Sequence, residues 1–271
     1  MDAGVSGLPA FRPLGRPLSV VVLGNSLAVL SIPQRTGRHD GTYAEVLRDL
    51  LTEAGQPVVL HNQARWFDFA VDALRRYEQT VRPGMPDVVV LQFGLNESQP
   101  WLLPVPVVRH FVTRHTSVTR TARAYREHVV PPVWKQVRSY RRWAAGKVGT
   151  RTWQTTPSRF EGAMRAIVRA VRYECRPLVL VCDVNAPGGV LRHFLPGMEE
   201  RHAVVQDVLR RVVDGAADPD VRLVPTSAVV DQLGEEVALP DGMHLSPAGH
   251  AAVARMLAAE VAAWLAERDG R

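Results

Sequence analysis

Lysine is almost missing from this chain. Of 33 basic residues only Lys135 and Lys147 are lysine. The formal charge of +6 and the pI near 9.9 therefore rest on arginine. That bias fits a GC-rich genome better than a nucleic-acid partner, because no recognition fold or RNA motif accompanies it. Cysteine is scarce too, with only Cys175 and Cys182, too few for a disulfide framework. No apolar run approaches the roughly 20 residues of a membrane helix. The N-terminus reads as lacking a signal peptide. Both cysteines are thus expected to be reduced and buried, and the protein to be cytoplasmic. There is no GxSxG elbow, GxGxxG, P-loop or HExxH. His110 and His115 lack the i,i+4 spacing and cysteine partners of a metal site. Dinucleotide, NTP and zinc-protease chemistry are disfavoured.

What is present is an ordinary globular composition, 46% apolar and 22% charged, in 271 residues. That is enough for one large domain with a substantial core. Short Val/Leu runs at 18–26, 57–62, 86–94, 177–184 and 221–225 read as strands. Helical spacing appears at 41–55, 66–80, 198–213 and from about Pro247 onward. A further helix is expected before Cys175, opened by Ser158 and Glu161 as a capping box. Continuous apolar strands alternating with helices imply a parallel sheet covered on both faces. Ligands in such sheets bind beyond the carboxyl ends of the strands.

Those ends carry the chemistry. The stretch DGMHLSPAGH places Asp241 three residues before His244, just ahead of the last helix. One reading is an Asp-Gly turn followed by a helix capped at Ser246 with Pro247 at its first position. The other is half of a nucleophilic triad. Strand one ends in Gly24-Asn25-Ser26 and strand three in Gly94-Leu95-Asn96-Glu97. All three loops open on one edge of the sheet. Ser26 can stand exposed as nucleophile, His244 can take its proton and Asp241 can fix the imidazole tautomer. Asn96 can donate an N–H to a developing oxyanion, together with the backbone N–H of Ser26. His250, six residues after His244, reads as a packing residue.

With these blocks in order the chain resembles the SGNH, or GDSL, hydrolases: GNS at 24–26, GLNE at 94–97 and DGMH at 241–244. The resemblance implies a three-layer α/β/α flavodoxin-like fold with about five parallel strands. It also implies a Ser26–His244–Asp241 triad, Asn96 in the oxyanion hole and no cofactor. Asn25, Gly94 and Arg65 are candidates for contact with substrate. Two departures stand out. Asn25 occupies the place of the family's aspartate. The second block, HNQARWFDFA at 61–70, lacks the glycine whose N–H completes the oxyanion hole, so the third donor is unassigned.

The chain is expected to be a single domain spanning 1–271, with a lid-like insertion at 98–157. Between Arg109 and Arg151 there are eleven basic residues and one acid, Glu127. After Pro131-Pro132, Val133, Val137, Tyr140 and Ala144 repeat at helical spacing, with Lys135, Arg138, Arg141 and Arg142 on other faces. Four uses compete: a structural lid with a solvated arginine face, docking of an anionic acyl donor such as acyl-CoA or an acyl carrier protein, contact with a membrane surface, and, last, nucleic acid. The insertion loosely resembles that of the family's octanoyltransferase branch, which acylates glucosylglycerates. Two enzymatic readings follow. One is an esterase acting on a small acyl ester through a covalent acyl-enzyme. The other is an acyltransferase moving the acyl group from CoA or a carrier to a sugar or other hydroxyl acceptor. A degenerate ligand-binding member is the third reading.

Overall fold

A computed structural model describes residues 8–29, 41–100, 153–195 and 197–269, with 124–125, 128–133 and 135–136 between them. Five strands form one parallel sheet: β1 (Leu18–Gly24), β2 (Val58–Asn62), β3 (Val88–Gln92), β4 (Leu178–Cys182) and β5 (Val221–Val224), in the order β2-β1-β3-β4-β5. The three central strands are almost wholly buried because each side chain faces one of two cores. Val21, Leu23, Val89, Leu91, Val179 and Val181 point to one. Val20, Val22, Val88, Val90, Leu178 and Leu180 point to the other. This period-two division explains why these strands read as unbroken apolar runs.

Helices cover both faces. On the first lie α2 (Ala70–Thr80), α4 (Pro157–Glu174) and α6 (Met198–Asp214). On the second, α1 (Tyr43–Glu53) packs against the final helix, α9 (Pro247–Asp269). The short helices α3 (Leu95–Ser98), α5 (Gly189–Phe194), α7 (Ala228–Leu233) and α8 (Glu235–Ala238) sit in the connections. The architecture is the three-layer α/β/α fold expected from the sequence. Among the described residues no helix is long and apolar enough to cross a membrane.

Three local expectations are corrected. The cap of α4 is Thr156, which accepts from the Arg159 N–H at 3.3 Å and puts Pro157 at the first helical position. Ser158 lies inside the helix, and Glu161 pairs instead with Arg165 and Arg211. Pro157 has no N–H to lose there, which favours the earlier start. Helix α2 begins at Ala70, not 66, because Phe67 takes left-handed backbone at φ +57°. Cys175 is only half-buried, since it stands at the solvent end of α4, whereas Cys182 is buried.

The segment after Pro131-Pro132 is only partly described. Residues 128 and 130–133 are helical, so the prolines lie within helical backbone and not before it. Arg138, Arg141 and Arg142 lie outside the described residues, as do His110 and His115.

Candidate active site

The turn after β1 is built by Asn25. Its backbone N–H donates to the Gln92 carbonyl of the neighbouring strand. Its side-chain oxygen accepts from the Leu27 N–H at 3.1 Å, opening a short 3₁₀ turn whose first residue is Ser26. Asn25 is fully buried and its Nδ2 has no hydrogen-bond partner among the described residues, so the side chain shapes the turn from below.

On the other side, Ser246 caps α9, accepting from Gly249 N at 3.1 Å, with Pro247 next in the chain. The turn reading of DGMHLSPAGH is therefore correct as far as it goes. The same turn also brings His244 to Ser26. One Asp241 carboxylate oxygen accepts from the backbone N–H groups of Met243 and His244 at 2.9 and 2.7 Å. The other lies 2.7 Å from His244 Nδ1. A ring nitrogen this close to a carboxylate carries the proton, which leaves Nε2 as an acceptor. Nε2 is 3.1 Å from Ser26 Oγ. Burial alone would push the Asp241 carboxyl up. The hydrogen bond and charge of His244, with the two backbone N–H groups, outweigh burial and hold it below the usual range.

The loop after β4 supports this turn. The Gly188 N–H donates to the Gly242 carbonyl at 2.8 Å. A Cβ at Gly188 would come within 2.8 Å of Gly242 Cα, so only glycine allows the approach.

Asn96 is buried on α3, beyond the end of β3. Its Nδ2 donates to the Asp68 carbonyl at 2.8 Å. Glu97, not singled out from the sequence as a site residue, accepts from Gly94 N and from Ala70 N, each at 2.9 Å. It thereby ties the start of α2 to the turn after β3. Burial raises its carboxyl from 4.5 to about 7, against the pull of those N–H groups and with a further push from Asp68. Gly94 has φ +121°, and a Cβ there would meet Val184 and Val205 at 2.7 Å. Its N–H and carbonyl both bond within the turn, to Glu97 and Ser98.

Residues 65–68 complete the surroundings. The Arg65 N–H donates to the Gly24 carbonyl at 3.0 Å, while its side chain is exposed. The Asp68 carboxylate pairs with Arg76 of α2, both largely buried. The Trp66 ring lies parallel to the His244 imidazole, at 2° between planes and 6.0 Å between centroids. Phe67 supplies the left-handed turn for which the sequence offers no glycine. A pocket of about 320 Å³ is lined by this loop with Asp72, Arg75 and Arg76. His250 serves elsewhere: its Nδ1 accepts from the Tyr43 N–H at the start of α1.

The model of the GDSL-like lipase/acylhydrolase family matches residues 22–252, from β1 into α9. The chain belongs to this family. It is thus an enzyme of an ester-hydrolysing class. No curated protein matches it. Among solved structures it is similar to a lipase/acylhydrolase from Enterococcus faecalis, with 16% identity and a TM-score of 0.60, covering 91% of this chain and 96% of that one. It is also similar to an acetylxylan esterase from Geobacillus stearothermophilus, with 14% identity and a TM-score of 0.55 over 90% and 94%. A third is an alpha/beta hydrolase enzyme from the metagenome of Lake Arreo, Spain, with 16% identity and a TM-score of 0.57 over 90% and 95%. At these identities the likeness is one of fold.

Proposed function

We propose that this GDSL-family chain is a serine esterase that forms a covalent acyl-enzyme on Ser26 and releases it to water. The observation that carries the reading is the unbroken chain Asp241 Oδ2–His244 Nδ1 at 2.7 Å and His244 Nε2–Ser26 Oγ at 3.1 Å. Ser26 Oγ attacks the ester carbonyl as Nε2 takes its proton. The imidazolium, held by Asp241, returns that proton to the departing alcohol. Water then repeats the sequence on the acyl-enzyme. The oxyanion is met by the Ser26 backbone N–H and by Asn96. The 65–68 loop, bonded to Gly24 and to Asn96, borders the same space and is the place for the third donor. The thiols are poor competitors as nucleophile, because burial pushes both Cys175 and Cys182 up. The hydrogen-bonded constellation also speaks against a degenerate binding protein.

A fluorophosphonate tests the assignment, since an activated serine attacks phosphorus as it does a carbonyl. The parent is expected to label on Ser26 and Ser26→Ala to remain unlabelled. Equal labelling of the two would move the nucleophile elsewhere. Acyl transfer from CoA or a carrier protein would use the same residues. It is motivated by Arg138, Arg141 and Arg142 in the sequence, and hydrolysis remains the reading the described residues support.

A further inference from the structure

His244 is constrained in its plane by two hydrogen bonds, one at each ring nitrogen. Bonds to Nδ1 and Nε2 fix positions along one line through the ring. They resist rocking about that line only weakly, because hydrogen-bond strength changes slowly with small angular deviation. The Trp66 indole, parallel to within 2°, is a plate against the face that those bonds leave unsupported. Its mounting is rigid. The Arg65 N–H is bonded to Gly24 of β1, the Asp68 carbonyl to Asn96 of α3, and the Asp68 carboxylate to Arg76 of α2. The same loop that bears on Asn96 therefore bears on His244.

The indole also has an electrostatic consequence. An aromatic face attracts a cation within about 6 Å of its centroid. The imidazole becomes cationic when it takes the Ser26 proton. A face 6.0 Å away then favours the charged ring over the neutral one. Among the described residues, Asp241 on the histidine's own loop is bonded to the imidazole, and the pocket that shares Trp66 is lined by the charged residues Arg65, Asp68, Asp72, Arg75 and Arg76.

We propose that Trp66 is a positioning residue for the reaction: it holds the plane of His244 toward Ser26 and stabilises the ring in its protonated form. The inference rests on the reading of His244 as general base. It assigns a role to a residue that the sequence alone does not single out and that lies far from His244 along the chain.

The test compares Trp66→Leu and Trp66→Phe with the parent, beside His244→Ala and Ser26→Ala, on a neutral short-chain ester across pH. Leucine keeps apolar bulk and removes the π face, while phenylalanine keeps a flat but weaker face. Trp66→Leu is expected to lower kcat roughly tenfold with little change in KM, as a modest misplacement of the base would. The acid limb of kcat/KM is expected to move to lower pH by roughly half a unit. Trp66→Phe is expected to move in the same direction by less. Should the leucine variant fail to fold, the phenylalanine variant must still show the smaller shift. An acid limb that stays in place, or moves to higher pH as water reaching the imidazole alone would move it, in both variants would overturn the proposal, whatever happens to kcat. Parental activity in His244→Ala would instead overturn the triad reading itself.

Discussion

Asn96 shows how one side chain can serve two purposes. A primary amide carries two N–H donors, and one donates to the Asp68 carbonyl. In the proposed mechanism the same amide also meets the oxyanion. Removing one such donor typically costs roughly 10²–10³ in rate. Asn96→Ala is therefore expected to lower kcat by about that factor on a good ester, with circular dichroism unchanged. Near-parental turnover would move the oxyanion site away from Asn96. The residues to which the proposed mechanism gives the chemistry are legible in the sequence because each stands in a short motif, Ser26 and Asn96 just after a strand and Asp241 and His244 just before the last helix. The residues that hold them are not. Trp66 and Glu97 have their partners on other elements, and no spacing rule connects them. Phe67 could not be foreseen either, because left-handed backbone is rare for a bulky residue. The missing glycine of the second block was visible; what replaced it was not.

At the scale of elements, the strands were the clearest feature, since burial on both faces leaves no polar interruption. The apolar spacing that suggests a helix from 66 runs through Trp66 and Phe69, which are loop residues ahead of α2. The true start is fixed by tertiary contact: Glu97 accepts from the Ala70 N–H, one of the donors a helix leaves open. That contact makes a pH prediction. The Glu97 carboxyl is raised by burial from 4.5 to about 7. A group whose folded value is raised stabilises the fold fully below its unfolded value. That contribution is lost as pH climbs through the folded value. The parent is thus expected to lose up to about 3 kcal/mol of stability from this group between pH 4.5 and 7. Glu97→Gln cannot ionise and is expected to flatten that part of the profile. It is also expected to be less stable than the parent near pH 5, because its amide turns N–H toward a backbone donor. Denaturant midpoints measured from pH 5 to 8 check both signs. Parallel profiles for parent and variant would mean that Glu97 does not titrate in this window.

For the whole molecule, the sheet brings distant parts of the chain to one edge. The turn after β1, the turn after β3 and the loop before α9 meet there, and the loops after β2 and β4 support them. The basic insertion lies mostly outside the described residues, and the two proposed readings differ in whether water or a hydroxyl acceptor takes the acyl group. Either outcome passes through the same intermediate, and that intermediate is the centre of the account. The most direct measurement is to quench the enzyme with acid during turnover of p-nitrophenyl acetate and map the protein by mass spectrometry. The account predicts one acetyl group on the peptide that contains Ser26, absent from Ser26→Ala, together with loss of turnover in that variant. An acetyl group on another residue, or parental turnover by Ser26→Ala, would contradict it.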